Sequence, residues 1–281
     1  MINKDEIITS RQNAGVKRAC ALLDKKSREA ERLFRFDGLK LFCEAMAKGV
    51  FIERVYIEES ASELLYSRLG ELIDKLDESR VSVVADHVFL KMTEEKSPEG
   101  IITIAKYIDK SHKLIKINNE DFLPSARECV MLLESIRDPG NLGTMIRSAA
   151  ALGIERLVIS SDCADIYNPK TIRAAMGGLF GLRIDKLDQS VTMADYVSRL
   201  RSSGRRVFAA ALCDDAVSLS DKPLDVGDCV VIGNEGHGLT EETISACDGS
   251  VIIPMAEGCE SLNAAAAAVI FMWELRRANN K

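Results

Sequence analysis

No apolar run of about eighteen residues occurs anywhere in the 281-residue chain, so no segment is long enough to cross a bilayer as a helix, and no membrane partner is expected. The N-terminal stretch MINKDEIITSRQNAG holds no apolar core behind its charges, which argues against a secretory signal and for a cytoplasmic protein. The eight cysteines include no C-x-x-C pair and sit mostly in apolar runs, where they read as small buried hydrophobes. Only three histidines are present, His87, His112 and His237, widely separated; neither a zinc site nor a disulfide frame is indicated, and no metal is expected. Positive charge is not in excess either. Lys and Arg number 37 against 43 Asp and Glu, a formal net charge of −6, which excludes indiscriminate nucleic-acid binding by the whole surface.

What is present is a hydrophobic content of 47% beside 28% charged residues, the balance of a soluble globular protein of one or two domains. Charge is unevenly spread. From Arg11 to Arg35 the basic residues Arg11, Lys17, Arg18, Lys25, Lys26, Arg28, Arg32 and Arg35 face only Asp24, Glu29 and Glu31. Val16, Ala19, Cys20, Leu22 and Leu23 recur at helical spacing between Asn13 and Lys26, which sets the cations largely on the opposite face. That face is either simply solvated or an RNA contact through Lys17, Lys25, Lys26 and Arg28.

Strand-like and helix-like segments alternate up to about Tyr107: an amphipathic helix through Leu41, Phe42, Ala45 and Met46, the run RVYIEES, a helix from Ser62 to Leu76, and the strand GIITIAKYI. We therefore expect a small α/β domain over residues 1–108. The polar stretch 109–127 is expected to be a linker, with Leu114–Ile117 as a possible short strand. A second α/β domain over 128–281 opens with the buried-strand run Val130–Glu134, a turn at Asp138-Pro139-Gly140-Asn141, a helix Leu142–Leu152 closed by Gly153, and a strand Arg156–Ser160. Strand, helix, strand in that order predicts a parallel pair.

The end of the chain carries the densest polar pattern. Two apolar runs, Cys229–Ile232 and Val251–Ile253, each stop at a loop bearing Gly or Pro, as buried strands do when they deliver their ends to a site. The first loop reads Gly233-Asn234-Glu235-Gly236-His237-Gly238-Leu239. The second runs from Ile253-Pro254-Met255 to Ser261-Leu262-Asn263 and an Ala-rich helix. We expect the two loops to face each other across neighbouring strand ends, where ligands bind in open α/β sheets. Turn glycines before a tightly packed helix fit the same letters. A third constellation, Asn141-x-Gly143-x-x-x-Arg147, puts a polar residue at a helix start and a permanent planar cation nearly two turns deeper. None of the three matches a nucleotide-phosphate loop, for G-K-[ST] is absent.

Taken in order, N-x-G-x-x-x-R, G-N-E-G-x-G-L and I-P-M…S-L-N before a C-terminal helix strongly resemble the SpoU/TrmH family of RNA ribose 2′-O-methyltransferases, in the SPOUT superfamily. The segment NPKTIRAAMGGLF, the stretch from Ser10 to Met46 and SPEGIITIAK resemble it too, so that nearly the whole chain is covered. The resemblance implies a parallel-sheet α/β domain with a deep trefoil knot, S-adenosylmethionine as cofactor, and a homodimer through the C-terminal domain. It implies cofactor contacts at Gly233, Ile253 and Leu262, with Gly238 and Met255 in the same loops. It makes Arg147 the catalytic residue, with Asn141, Glu235 and Asn263 ordering the site. Many relatives carry Ser where this chain has Ala265, so that position is discounted. The substrate implied is structured RNA, ribosomal RNA before tRNA; the competing reading is a non-catalytic RNA-binding or ribosome-assembly factor on the same fold.

Overall fold

The computed structural model describes residues 7–116, 123–221, 224–234, 236–256 and 261–279. Two compact units divide the chain: Met1–Ile108 with Tyr167–Arg173, and Asp109–Ile166 with Ala174–Lys281. Among the described residues no helix is long and apolar enough to cross a membrane.

The first unit begins with helices α1 (Ala14–Ala21) and α2 (Lys25–Glu31), where the sequence suggested one helix through Lys26. Helical spacing does continue across Leu22 and Leu23. A capping residue breaks it: Asp24 turns its carboxylate to the Ser27 N–H at 3.1 Å and starts α2 afresh. Strand β1 (Leu33–Asp37), helix α3 (Leu39–Ala47), β2 (Ile52–Glu58), α4 (Ser62–Ile73), β3 (Val81–Val84), α5 (Asp86–Met92) and β4 (Ile101–Lys106) follow. The sheet order is β1-β4-β2-β3, with β4 antiparallel to both neighbours and β3 parallel to β2. The run of β4, apolar apart from Thr103, reflects that inner place, since both its faces are covered: Ile101 to Ala105 are all buried.

The second unit is built on an eight-stranded sheet, all of whose pairings are parallel. From residue 109 the chain forms β5 (His112–Ile115), β6 (Val130–Leu133), α6 (Pro139–Leu152), β7 (Arg156–Ile159), α7 (Pro169–Ala175), which through Arg173 belongs to the first unit, α8 (Gly178–Gly181), β8 (Arg183–Leu187), α9 (Met193–Ser202), β9 (Val207–Ala209), β10 (Val217–Ser218), β11 (Cys229–Ile232), α10 (Glu241–Ala246), β12 (Gly249–Ile252) and α11 (Ala264–Asn279). The strands run in the order β10-β12-β9-β11-β6-β7-β8-β5. Cys229, Val231, Val130 and Leu132 enter one core cluster with Val197, Leu200 and Val207. Each of these side chains contributes about 1.5–3 kcal/mol on leaving water.

Three expectations are corrected here. The stretch 109–127 is more than a connection, because β5 pairs residue for residue with β8 and extends the second sheet. Helix α6 starts at Pro139, not Leu142. Asp138 caps it by accepting the Asn141 N–H at 2.8 Å, and Pro139 loses nothing at a position whose N–H has no helical partner. Strands β11 and β12 are not neighbours, for β9 lies between them.

Candidate active site

All eight strands being parallel, the chain segments that leave β6, β9, β11 and β12 emerge at one edge of the sheet. The β6 exit carries Glu134, Ser135 and α6; the β11 exit carries the glycine loop; the β12 exit leads by way of Met255 to α11.

Gly233 ends β11 under its own loop. A Cβ there would sit 2.3 Å from the Gly238 carbonyl carbon, because Asn234 and Gly238 exchange backbone bonds of 3.0 and 2.9 Å directly above it. Gly238 takes φ +67°, which favours glycine, and closes the turn. The loop is fastened to β6 on both sides. The Asn234 amide donates to the Ser135 carbonyl at 2.9 Å while its oxygen accepts the Gly236 N–H at 2.8 Å. Buried Glu134 accepts from the Thr240 N–H at 3.1 Å and from the Thr243 hydroxyl at 2.8 Å, which ties the start of α10 to the same strand.

Ser135 stands at φ +57°, an uncommon conformation for a residue with a side chain. Its N–H is held by the Ser160 hydroxyl at 2.8 Å, and its own hydroxyl donates to Asp162 at 2.7 Å. Burial opposes the charged form of Asp162, but the hydrogen bonds from Ser160, Ser135 and Arg137 outweigh it and hold that carboxyl below its ordinary value. A cleft of about 450 Å³ opens beside this network, lined among others by Ser135, Arg137, Asn234, His237 and Glu241.

The first and last motifs meet. The Asn263 amide donates to the Asn141 oxygen at 3.2 Å, and the Asn263 oxygen caps α11 by accepting the N–H groups of Ala265 at 2.9 Å and Ala266 at 3.3 Å. One side chain thus starts a helix and joins it to the first turn of α6. Arg147 lies about 9 Å further along α6 and is exposed. Among the described residues none holds its guanidinium by a hydrogen bond or ion pair. Its backbone is closely covered: a Cβ on Gly178 would lie 3.2 Å from the Arg147 Cα and 3.2 Å from the Ile146 carbonyl oxygen, so α8 packs against α6 there.

Of the expected cofactor residues, Gly233 is buried, Ile253 is half-buried, and Met255 and Leu262 are 43% and 42% exposed. Apolar side chains left open at the same sheet edge that bears a glycine turn packed backbone to backbone fit a ligand with apolar and hydrogen-bonding parts such as S-adenosylmethionine. Glu235 lies outside the described residues. Lys17, Lys25 and Lys26 are exposed on the first unit, as an RNA contact requires. Arg28 is a correction. It is 1% exposed, and its guanidinium donates to the carbonyls of Leu22 at 2.9 Å and Leu23 at 2.7 Å, binding the end of α1 and the residue beyond it to α2. Sequence reasoning passed over Arg137 and His237, which line the cleft. His237 occupies the variable place of the glycine motif, and its position inside that loop was the signal available.

Known proteins bear on this arrangement. Residues 128–273 match the family model described as SpoU rRNA Methylase family, and residues 13–103 match the MRM3-like substrate binding domain. The chain is 29% identical to the Bacillus subtilis 23S rRNA (guanosine(2553)-2′-O)-methyltransferase RlmP, over 96% of this chain and 98% of that protein. It is 28% identical to a 23S rRNA (uridine(2479)-2′-O)-methyltransferase of Streptomyces viridochromogenes, over 96% and 91%. Among solved structures, an AdoMet-bound rRNA methyltransferase from Sinorhizobium meliloti superposes with a TM-score of 0.81 at 28% identity, covering 97% of both chains. With the Asn141 and Asn263 motifs joined and a family match that spans just over half its length, the chain belongs to the SpoU rRNA methylase family.

Proposed function

We propose that the protein transfers a methyl group from S-adenosylmethionine to a ribose 2′-hydroxyl of ribosomal RNA, with large-subunit RNA as the substrate. The observation that carries this reading is the bond between Asn263 and Asn141, which brings the two ends of the motif pattern to one place at the edge that also bears the Gly233 loop.

The cofactor supplies an electrophilic methyl group on a sulfonium, so the reaction needs an oriented hydroxyl more than a strong base. Ile253, Met255 and Leu262 keep water from the reacting atoms, and the packed Gly233–Gly238 turn presents backbone groups without side chains in the way. Arg147, exposed and uncommitted among the described residues, binds the phosphate beside the target sugar and stabilises the negative charge that grows on the ribose oxygen. Its guanidinium keeps its protons, having a pKa above about 12, so the hydroxyl proton leaves to water or to that phosphate. Asn141 and Asn263 fix the start of α6 and hence the course of the helix that carries Arg147. Glu235 is assigned to holding its loop.

The trefoil knot and a homodimer through the C-terminal unit belong to the same reading. Trp273 on α11 is 58% exposed, with Ile270 one turn away at 37%, an apolar surface suited to a second copy. The cytoplasm fits the described cysteines, all of which are free thiols. Mapping 2′-O-methyl sites in RNA from a strain without the protein tests the proposal. Loss of one site in large-subunit rRNA supports it; loss from tRNA moves the substrate; an unchanged map overturns it.

A further inference from the structure

The cations that sequence patterning singles out on α1 and α2 are in part committed already. Arg18 pairs with Glu31 and, at 3.7 Å, with Glu53; Lys25 lies 3.6 Å from Glu29; Arg28 is buried. A different set gathers at one end of the first unit's sheet. There β1, β2 and β3 begin and β4 ends, so that Arg32, Phe51, Arg80, Lys106 and Tyr107 share a single rim. Backbone bonds of 3.0 Å from Lys106 to the Phe51 carbonyl, and from Tyr107 to the Arg32 carbonyl, lock the row together.

Each of these cations lies against an aromatic ring. Lys106 Nζ is 4.3 Å and the Arg80 guanidinium carbon 4.4 Å from the centroid of Phe51, while Arg32 lies 4.8 Å over Tyr107. A ring restrains a cation without cancelling its charge, unlike a carboxylate. Among the described residues neither Arg80 nor Lys106 has a carboxylate at ion-pair distance, and Asp77, just before Arg80 in the chain, gives its oxygen to the Ser79 N–H and hydroxyl. Phe51 is 44% exposed, so part of its ring face is open to a flat ligand. In a chain of net charge −6, this rim sets two ring-restrained cations, Arg80 and Lys106, beside open aromatic surface.

We propose that this end of the sheet is a contact surface for the RNA strand: Arg80 and Lys106 hold neighbouring phosphates, and the open part of Phe51 receives an unstacked base. The surface uses none of the cations Lys17, Lys25, Lys26 and Arg28 of α1 and α2, and the inference rests on the reading that the substrate is RNA.

Lys106→Glu, Phe51→Ala and Phe51→Trp test it, with deproteinised large-subunit rRNA as the probe for both filter binding and methyl transfer. Lys106→Glu is expected to weaken binding on the order of tenfold at moderate salt, to flatten the plot of log affinity against log salt by about one unit, and to raise KM for RNA but not for S-adenosylmethionine. Phe51→Ala is expected to weaken binding and Phe51→Trp to restore it. Unchanged affinity and salt slope in a Lys106→Glu protein with the wild-type unfolding midpoint would overturn the surface. A wild-type protein that binds this RNA through Lys106 yet transfers no methyl group would instead overturn the proposed activity and leave the surface standing.

Discussion

Asn263 donates its amide to Asn141 at 3.2 Å while its oxygen caps α11, so the same side chain serves helix stability and the spacing of the two motifs. These duties separate by substitution. Asn263→Ala removes both and is expected to cost about 1 kcal/mol of stability, the usual value of an N-cap, together with most of the methyl transfer. Asn263→Asp keeps the acceptor for the Ala265 N–H and loses the donor to Asn141. Near-normal stability with depressed transfer is expected, read from urea unfolding and single-turnover rates; equal losses in both assays would assign the residue to folding alone.

Gly233→Ala is a steric experiment. The added carbon would meet the Gly238 backbone at 2.3 Å, and a backbone atom cannot rotate aside as a side chain can. The loop must lift, at a cost of about 1–3 kcal/mol. Calorimetric titration with S-adenosylmethionine should show much weaker binding, with the far-ultraviolet dichroism of the sheet unchanged.

Arg147→Lys keeps the charge and loses the planar fork. If the guanidinium binds phosphate by two parallel bonds and steadies the growing oxyanion, transfer at saturating cofactor and RNA should fall by about two orders of magnitude. A lysine variant working at nearly the wild-type rate would show that a point charge suffices.

Acid should weaken the second unit through His112. Burial pushes its pKa from 6.5 down to about 4, against hydrogen bonding to the Leu179 and Leu182 carbonyls, the former at 3.1 Å. Between those two values the unfolded chain binds a proton that the folded chain refuses. Stability is therefore fully present above 6.5 and is lost as the pH falls toward 4, by about 3 kcal/mol. His112→Gln should unfold in urea with a shallower pH dependence over that window than the wild type. An identical dependence would mean that other groups account for the acid sensitivity.

Legibility in the sequence followed the range of the interactions. Strands β6 and β11 could be seen because burial on both faces of a parallel sheet leaves continuous apolar runs. The expected start of α6 at Leu142 differs from Pro139 because Asn141, itself a good cap, masks the cap and first helical position that Asp138 and Pro139 form. The place of β9 between β11 and β12 depends on long-range pairing that no local pattern records. Arg28 looked like a surface cation because its partners are backbone carbonyls, which every residue has. The rim around Phe51 leaves no local pattern for a related reason, being assembled from separate points along the chain.

The central claim is most directly tested by incubating the purified protein with methyl-labelled S-adenosylmethionine and deproteinised large-subunit rRNA, then digesting the RNA to nucleosides and separating them. Label in a single 2′-O-methylnucleoside, absent with Arg147→Ala, is the result expected. Label on a base, or none in RNA while the protein binds both cofactor and RNA, would contradict the account.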